Sequence, residues 1–410
     1  MTETEKTSAK DLLLTKLYRK KTIIKNPVAF RPEYLPQDLF VREEIDSLFD
    51  DLTDYIKYNT PGNILLLGRP GTGKTASLKF LDKTLGNNSS ILKDFSVKYI
   101  NCRNKTAFDI MSELTANMKS NINIKILFEH FFLNLQKNYI LFLDEIDTPK
   151  NQKEVEDLLF VLSRPSEYAN EFEVNHTIKL VLASNSLKWS GKIDVAVASS
   201  LLLKTHIFQP YNIKQLVEIL ERRCREGLSN QSYVTKEILR NIAQKTISEY
   251  HGDARAAIKI LFYAAKDVEK EGSEKIIGEN IDKVSKFVEK EIESEGVIKL
   301  NDAAFLILYS SVNSKIKETT GVYDIYGKIS INCKLKPVKY TNFHHYLQYL
   351  ENQNLIQLYK NKNVKTKTLT IEVVVPPEIV KEEFERRKMR LFLEKKENQS
   401  WSFDQKKVWA

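Results

Sequence analysis

The chain reads as an α/β fold on a parallel sheet, continued by an all-helical unit and then by a smaller helix-and-hairpin unit. Three observations predict this. From about Val28 to Pro210, short apolar runs alternate with helical patterns, as in a parallel sheet with crossover helices. After Pro210, apolar residues recur at helical spacing alone. From Asn301, three helical patterns precede two β-rich segments around Asn361-Lys-Asn363.

Taken in order, residues 1–26 form a basic amphipathic lead, with Leu12, Leu13, Leu14 and Leu17 among Lys16, Arg19, Lys20 and Lys21. The expected strands are Asn63–Leu67, Val97–Asn101, Tyr139–Leu143 and Ile178–Ala183, β-branched or leucine-rich as strands covered on both faces are. The expected helices of the middle unit are Tyr211–Gly227, Thr235–Tyr250, Asp253–Glu269 and Ser273–Ser294. Two β-rich segments follow, Leu355–Lys360 and Lys367–Val375, and Pro376-Pro377 ends the second because proline cannot donate to a ladder. The expected segments are therefore 1–26, 27–210, 211–296, 297–385 and a polar tail, 386–410, which carries Trp401, Phe403 and Trp409.

At 410 residues the chain has room for two or three domains. No apolar run approaches the roughly 18 to 20 residues of a membrane span. The polar, acid-bearing start is unlike a signal peptide, and Cys102, Cys224 and Cys333 lack the spacing of a zinc or disulfide framework. A reducing, cytoplasmic setting is expected. Net charge is +9, and it is unevenly placed: from Val297 onward there are 20 Lys and Arg against 12 Asp and Glu. Lys328–Lys367 holds eight lysines and one acid, Glu351. Such local basicity points to an anionic polymer, although a solvated lysine-rich surface has the same composition.

Between a strand and a helix lie Gly68, Arg69, Pro70, Gly71, Thr72, Gly73, Lys74 and Thr75, followed by Ala76. This matches the phosphate-binding loop G-x-x-x-x-G-K-[ST] at every fixed position. Glycines let backbone N–H groups curl around phosphate oxygens, and the helix start adds its positive end. Lys74 is expected to reach the β- and γ-phosphates, and the Thr75 hydroxyl to bind Mg2+. In Leu141-Phe-Leu-Asp-Glu-Ile-Asp147, Asp144 is expected to hold the metal through water and Glu145 to polarise the attacking water. Asn185, at the end of the next strand, suits a role in orienting that water. Arg255, in His251-Gly-Asp-Ala-Arg255, suits a role over the γ-phosphate.

These motifs in this order resemble an AAA+ ATPase, and more narrowly the archaeal origin-recognition initiators of the ORC/CDC type. Pro32-Glu-Tyr-Leu-Pro36 with Val41-Arg-Glu-Glu-Ile45 resembles the family's box before the first strand, where the adenine sits. Phe208-Gln-Pro-Tyr-Asn-Ile-Lys-Gln-Leu216 resembles the start of its lid. Val322-Tyr-Asp-Ile-Tyr326 and the run Leu347–Ile356 resemble its C-terminal winged helix. The resemblance implies an AAA+ P-loop core with a parallel sheet, an all-helical lid and a C-terminal winged-helix domain. It adds Arg42 and Tyr211 to the ATP or ADP contacts. It also implies weak ATPase activity and, as partners, duplex origin DNA, paralogous initiators and the replicative helicase, for a monomer or DNA-assembled oligomer associated with the nucleoid. Two departures mark a divergent paralogue. Ala196 stands where the family commonly has an arginine, and Gln37-Asp-Leu-Phe40 replaces its proline-histidine-arginine run.

In Tyr340–Leu350, Phe343, Leu347 and Leu350 fall on one helical stripe, leaving Thr341, Asn342, His344, His345 and Gln348 on other faces. Polar groups near a helix start suit a major groove, with Lys336 and Lys339 on phosphates and Lys360, Lys362, Lys365 and Lys367 on a wing. An amphipathic stretch, Ile122–Phe128, with Lys119 and Lys125, offers a second DNA contact or an ordinary core helix. Two other classes share the motifs: a clamp-loader-like or transposition-helper ATPase that remodels another protein, and an origin-competing regulator with a weakly active nucleotide site.

Overall fold

The computed structural model describes residues 23–87, 92–116, 123–135, 137–168, 176–273, 275–353, 355–360 and 369–388. The basic lead before Ile23, Lys119, the wing residues Lys362, Lys365 and Lys367 and the aromatic tail lie outside them. The chain divides into two compact units between Lys286 and Phe287.

In the first unit β1 (Asn63–Leu67), β2 (Phe95–Asn101), β3 (Asn138–Asp144), β4 (Ile178–Ser184) and β5 (Leu203–Ile207) form a parallel sheet in the order β2-β3-β4-β1-β5. Alternate residues feed two separate cores. Leu65, Leu67, Ile100, Leu141, Leu143, Leu180 and Leu182 pack on one face. Ile64, Leu66, Ile140, Phe142, Val181 and Ala183 pack on the other. This period of two explains why β1 and β4 are buried at every position. The sequence pattern misses β5, because only His206 of its five residues is buried. Lys204 and His206 on this edge strand instead reach Asp51, at 2.5 and 2.7 Å.

Register places the site. Leu67 lies beside Ser184, and Asn101 beside Asp144, so the strands end at a common level and their following loops converge. The part of the proposed second nucleic-acid contact from Ile124 onward forms the helix Ile124–Leu133, which buries Leu127, Phe131 and Phe132 in the sheet core, while Ile122 lies outside the described residues. Lys125 is exposed at its start.

The all-helical part comprises Ile213–Gly227, Lys236–Tyr250, Ala254–Glu271 and Gly278–Ile298. Asn212 and Gln215 make a reciprocal capping box at the first, Thr235 caps the second and Asp253 the third. The division into units falls within Gly278–Ile298 rather than near its end at 296/297, where the sequence suggests it.

The second unit has helices Asp302–Asn313, Thr319–Asn332 and Tyr340–Asn352 and an antiparallel hairpin, β6 (Ile356–Lys360) with β7 (Leu369–Val373). Glu318, between the first two helices, forms a single antiparallel bridge to Thr370 on β7. Residues 377–388 are helical, so the polar tail expected from residue 386 begins later than the sequence pattern suggests. Arg387 is the reason: it is buried and bonded to Glu383, Asp302 and the carbonyl of Leu300.

Candidate functional site

Gly68–Gly73 joins β1 to the helix Lys74–Asn87. Gly71 and Gly73 have φ of +77° and +95°, in the left-handed region that favours glycine. A side chain at Gly73 would also collide with the Tyr211 hydroxyl. Lys74 is buried, and its Nζ donates to the carbonyls of Gly68 at 2.6 Å and Arg69 at 3.1 Å. Burial pushes its amine down to about 8, against the opposing pull of Asp144 and Asp147, while the Arg255 charge lowers it further. The cleft beside the loop, about 340 Å³, is lined by Gly71, Gly73, Lys74, Thr75 and Ala76, by Glu145 and Asn185, and by Tyr211 and Arg255. Tyr34, Leu35, Ile219 and Ile258 give it an apolar lining as well.

Asp144 ends β3 fully buried, with both carboxylate oxygens engaged. Oδ2 accepts from Tyr99 Oη at 2.9 Å, and Oδ1 accepts from the Glu145 N–H at 2.9 Å. Glu145 adopts φ +54° and faces the cleft with Arg103 Nη1 at 3.4 Å from its carboxylate. Asp147 accepts from the Asn185 N–H at 3.1 Å, and burial pushes its carboxyl up. Among the described residues no group of three or more His, Cys, Asp or Glu forms a metal cage. A fixed carboxylate and a hydroxyl beside a phosphate loop fit a cation that arrives with phosphates and keeps several waters, as Mg2+ does.

The sequence-derived residues therefore converge, with three qualifications. Gly68, Arg69, Thr72 and Asp144 shape the site from behind the cleft lining. Arg42, expected to touch the nucleotide, does not line the cleft. It is a buried strut: Nη2 donates to Thr72 O at 2.6 Å, Nη1 to Gln209 O at 2.8 Å, and the guanidinium lies 4.4 Å from the Tyr211 ring centre. Its planar fork suits two backbone acceptors better than a base edge. Tyr99, Arg103, Asp147 and the carboxylate of Asp253 escape the motif reading. The register of β2 against β3 would have pointed to Tyr99, two residues before the one opposite Asp144.

In the second unit Phe343, Leu347 and Leu350 are fully buried, as their stripe suggests. Thr341, Asn342, His345 and Gln348 are exposed, His344 is half-buried, and Lys336 and Lys339 are exposed. Burial lowers the His344 pKa, and His345 lowers it further. Lys360 ends β6.

A family model described as ATPase family associated with various cellular activities (AAA) matches residues 64–211. The Cdc6 AAA+ ATPase-type lid domain matches 217–286. The chain is 32% identical over 335 residues to ORC1-type DNA replication protein 1 of Sulfurisphaera tokodaii, covering 78% of this chain and 82% of that one. The chain belongs to the archaeal ORC/Cdc6 family of AAA+ initiators. ORC1-type DNA replication protein 1 of Methanosarcina acetivorans is 29% identical over 394 residues, 90% of this chain and 92% of its own. The structure of the Aeropyrum pernix ORC1 protein in complex with DNA aligns with a TM-score of 0.68 at 25% identity, over 88% of this chain and 97% of that one.

Within an ORC/Cdc6 frame the helical set Ile213–Gly227 onward is the lid, and the cleft lies between it and the α/β core. Ala196 is exposed in the helix Val195–Leu201, whose cap, Asp194, accepts from its N–H at 2.8 Å. There is no arginine between Asn185 and Pro210. No described helix is long and apolar enough to cross a membrane.

Proposed function

We propose that this chain is an origin-binding replication initiator that holds ATP or ADP between core and lid and uses the nucleotide as a slow switch on duplex DNA binding. The convergence of the phosphate loop, Glu145, Asn185 and Arg255 on one cleft carries the nucleotide half of this reading. Lys74 would exchange its two loop carbonyls for β- and γ-phosphate oxygens, and the loop N–H groups would hold the rest. Thr75 and Asp144 would hold Mg2+, which neutralises phosphate charge when bound. Glu145 would take the proton of a water oriented by Asn185, and Arg255 would meet the γ-phosphate. Without an arginine at Ala196, the chain lacks one source of transition-state charge stabilisation for a neighbour's nucleotide, which supports weak turnover.

The second unit supports a winged helix. Its order is helix, single bridge at Glu318, helix, helix, hairpin, and the third helix exposes polar groups at its start. On this reading that helix enters a major groove, Lys336 and Lys339 grip phosphates, and the hairpin of β6 and β7 is the wing. The partners are then duplex DNA, paralogous initiators and the replicative helicase, in the nucleoid. The test is fluorescence anisotropy of the full chain on origin and scrambled duplexes, with ATP or ADP, beside an ATPase assay. Preference for origin DNA that changes with the nucleotide is expected. Equal affinity for every duplex with either nucleotide, or turnover of many per second by the chain alone, overturns the reading.

A further inference from the structure

Asp253 stands between the phosphate loop and the arginine of the lid. Its side chain caps the helix Ala254–Glu271 by accepting from the Arg255 N–H at 2.8 Å. The same carboxylate takes the Arg255 guanidinium in a two-point grip, Nε to Oδ1 at 3.0 Å and Nη2 to Oδ2 at 2.5 Å. It also lies against Gly71 so closely that a methyl group there would come within 1.9 Å of Oδ1. The Ala254 N–H donates to Gly71 O at 3.3 Å, fixing this lid helix start to the loop. Asp253 thus sets a mostly buried carboxylate against the phosphate loop, with Arg255 already paired to it.

We propose that Asp253 is a specificity-determining residue that competes with the terminal phosphate for Arg255 and so sets the preference for ATP over ADP. The inference rests on reading Arg255 as a γ-phosphate contact. A triphosphate must draw the guanidinium away from a bidentate, charge-assisted pair, whereas a diphosphate leaves that pair intact. The pair therefore favours the ADP state, and opening it is the cost that ATP meets at the lid. Only interactions that differ between the two states can shift the balance between them, and this pair differs.

Asp253→Asn tests it, because asparagine caps a helix as well as aspartate does but carries no charge. Asp253→Ser, also a capping residue, serves if the first variant folds poorly. Dissociation constants for the Mg2+ complexes of adenylyl imidodiphosphate and ADP are measured for wild type, Asp253→Asn, Arg255→Ala and the double variant. Asp253→Asn is expected to raise the triphosphate-over-diphosphate preference about tenfold, the scale of a charged hydrogen bond. Arg255→Ala is expected to abolish that preference, and in its background Asp253→Asn should change nothing. A normal loss in Arg255→Ala with an unchanged ratio in Asp253→Asn overturns the inference alone. Equal tightening of both nucleotides, or a gain that persists without Arg255, also overturns it, since either means simple charge repulsion. A wild-type ratio in Arg255→Ala overturns the reading of Arg255 and the inference with it.

Discussion

Tyr99 Oη donates a 2.9 Å hydrogen bond to Asp144 Oδ2 across the β2–β3 pair. Burial pushes the Tyr99 phenol up and the Asp144 charge adds to it, so the hydroxyl remains a donor at any working pH. It therefore fixes one oxygen of the carboxylate proposed to hold Mg2+. Tyr99→Phe removes that hold without opening a cavity. Second-layer partners of this kind are worth about 10- to 100-fold in metal affinity. The Mg2+ concentration that half-saturates the nucleotide-induced thermal shift should rise at least about tenfold, while the nucleotide-free protein loses only about 1 kcal/mol. An unchanged Mg2+ requirement would mean that Asp144 is positioned by the Glu145 N–H alone.

Arg42 makes a different prediction as a strut than as a base contact. It joins Thr72 O in the phosphate loop to Gln209 O ahead of the lid, and it packs against Phe208 and Tyr211. Arg42→Ala strands the buried Thr72 carbonyl, removes the bond to Gln209 O and loses the packing on Phe208 and Tyr211, and should cost about 3 kcal/mol of stability. Binding of ATP and GTP should fall by the same factor in titrations of each nucleotide. A selective loss of ATP with an unchanged melting temperature would restore the adenine-contact reading.

These two residues mark where sequence reading stops. The phosphate loop, Asp144, Glu145 and Asn185 are legible because their chemistry demands given residue types at given spacing. Strands β1, β3 and β4 are legible because burial on both faces favours apolar residues throughout, and the half-buried edge strand β2 is legible from Val97, Tyr99 and Ile100. Strand β5 is hidden because its edge position allows Lys204 and His206, which Asp51 answers from a helix some 150 positions away. The role of Arg42 depends on acceptors 30 and 167 residues distant, and that of Tyr99 on the register of two strands. The Glu318 bridge is one residue long and leaves no pattern at all.

Arg387 ties the last described helix to the start of the second unit. Nε meets Glu383 at 2.7 Å, Nη1 meets Asp302 at 2.9 Å, and Nη2 meets the Leu300 carbonyl at 2.8 Å, with the Phe305 ring centre 4.2 Å away. Burial pushes the Glu383 carboxyl up, but the hydrogen bonds and charges of Arg386 and Arg387 outweigh it and hold it below its ordinary value. The unfolded chain thus binds the proton more readily, so this contribution is complete above the ordinary glutamate value and is lost as pH falls below it. Arg387→Ala should cost about 3 kcal/mol at neutral pH, because it removes the bonds to the buried Leu300 carbonyl, to Asp302 and to Glu383, the last of which keeps only Arg386. In acid titrations of unfolding, Glu383→Gln should start less stable and show a shallower acid loss than wild type. Parallel acid curves would remove Glu383 from the account.

The helix Tyr340–Asn352 separates folding from recognition along a single element. Phe343, fully buried, lies edge-on to Tyr323 at 5.1 Å, so Phe343→Ala should cost about 3 to 5 kcal/mol and lose DNA binding through unfolding. Asn342 and His345 are exposed, and replacing both with alanine should leave stability within about 0.5 kcal/mol. If they read bases, the double variant loses affinity for its preferred duplex, by about 1 to 3 kcal/mol per contact, and keeps its affinity for scrambled DNA. Lys336→Glu should behave otherwise, weakening all duplexes alike and flattening the salt dependence, because a phosphate contact carries no sequence information. Anisotropy titrations on both duplexes at several salt concentrations separate the two behaviours. A uniform loss in the Asn342 and His345 variant would assign that face to the backbone and move sequence reading elsewhere in the chain.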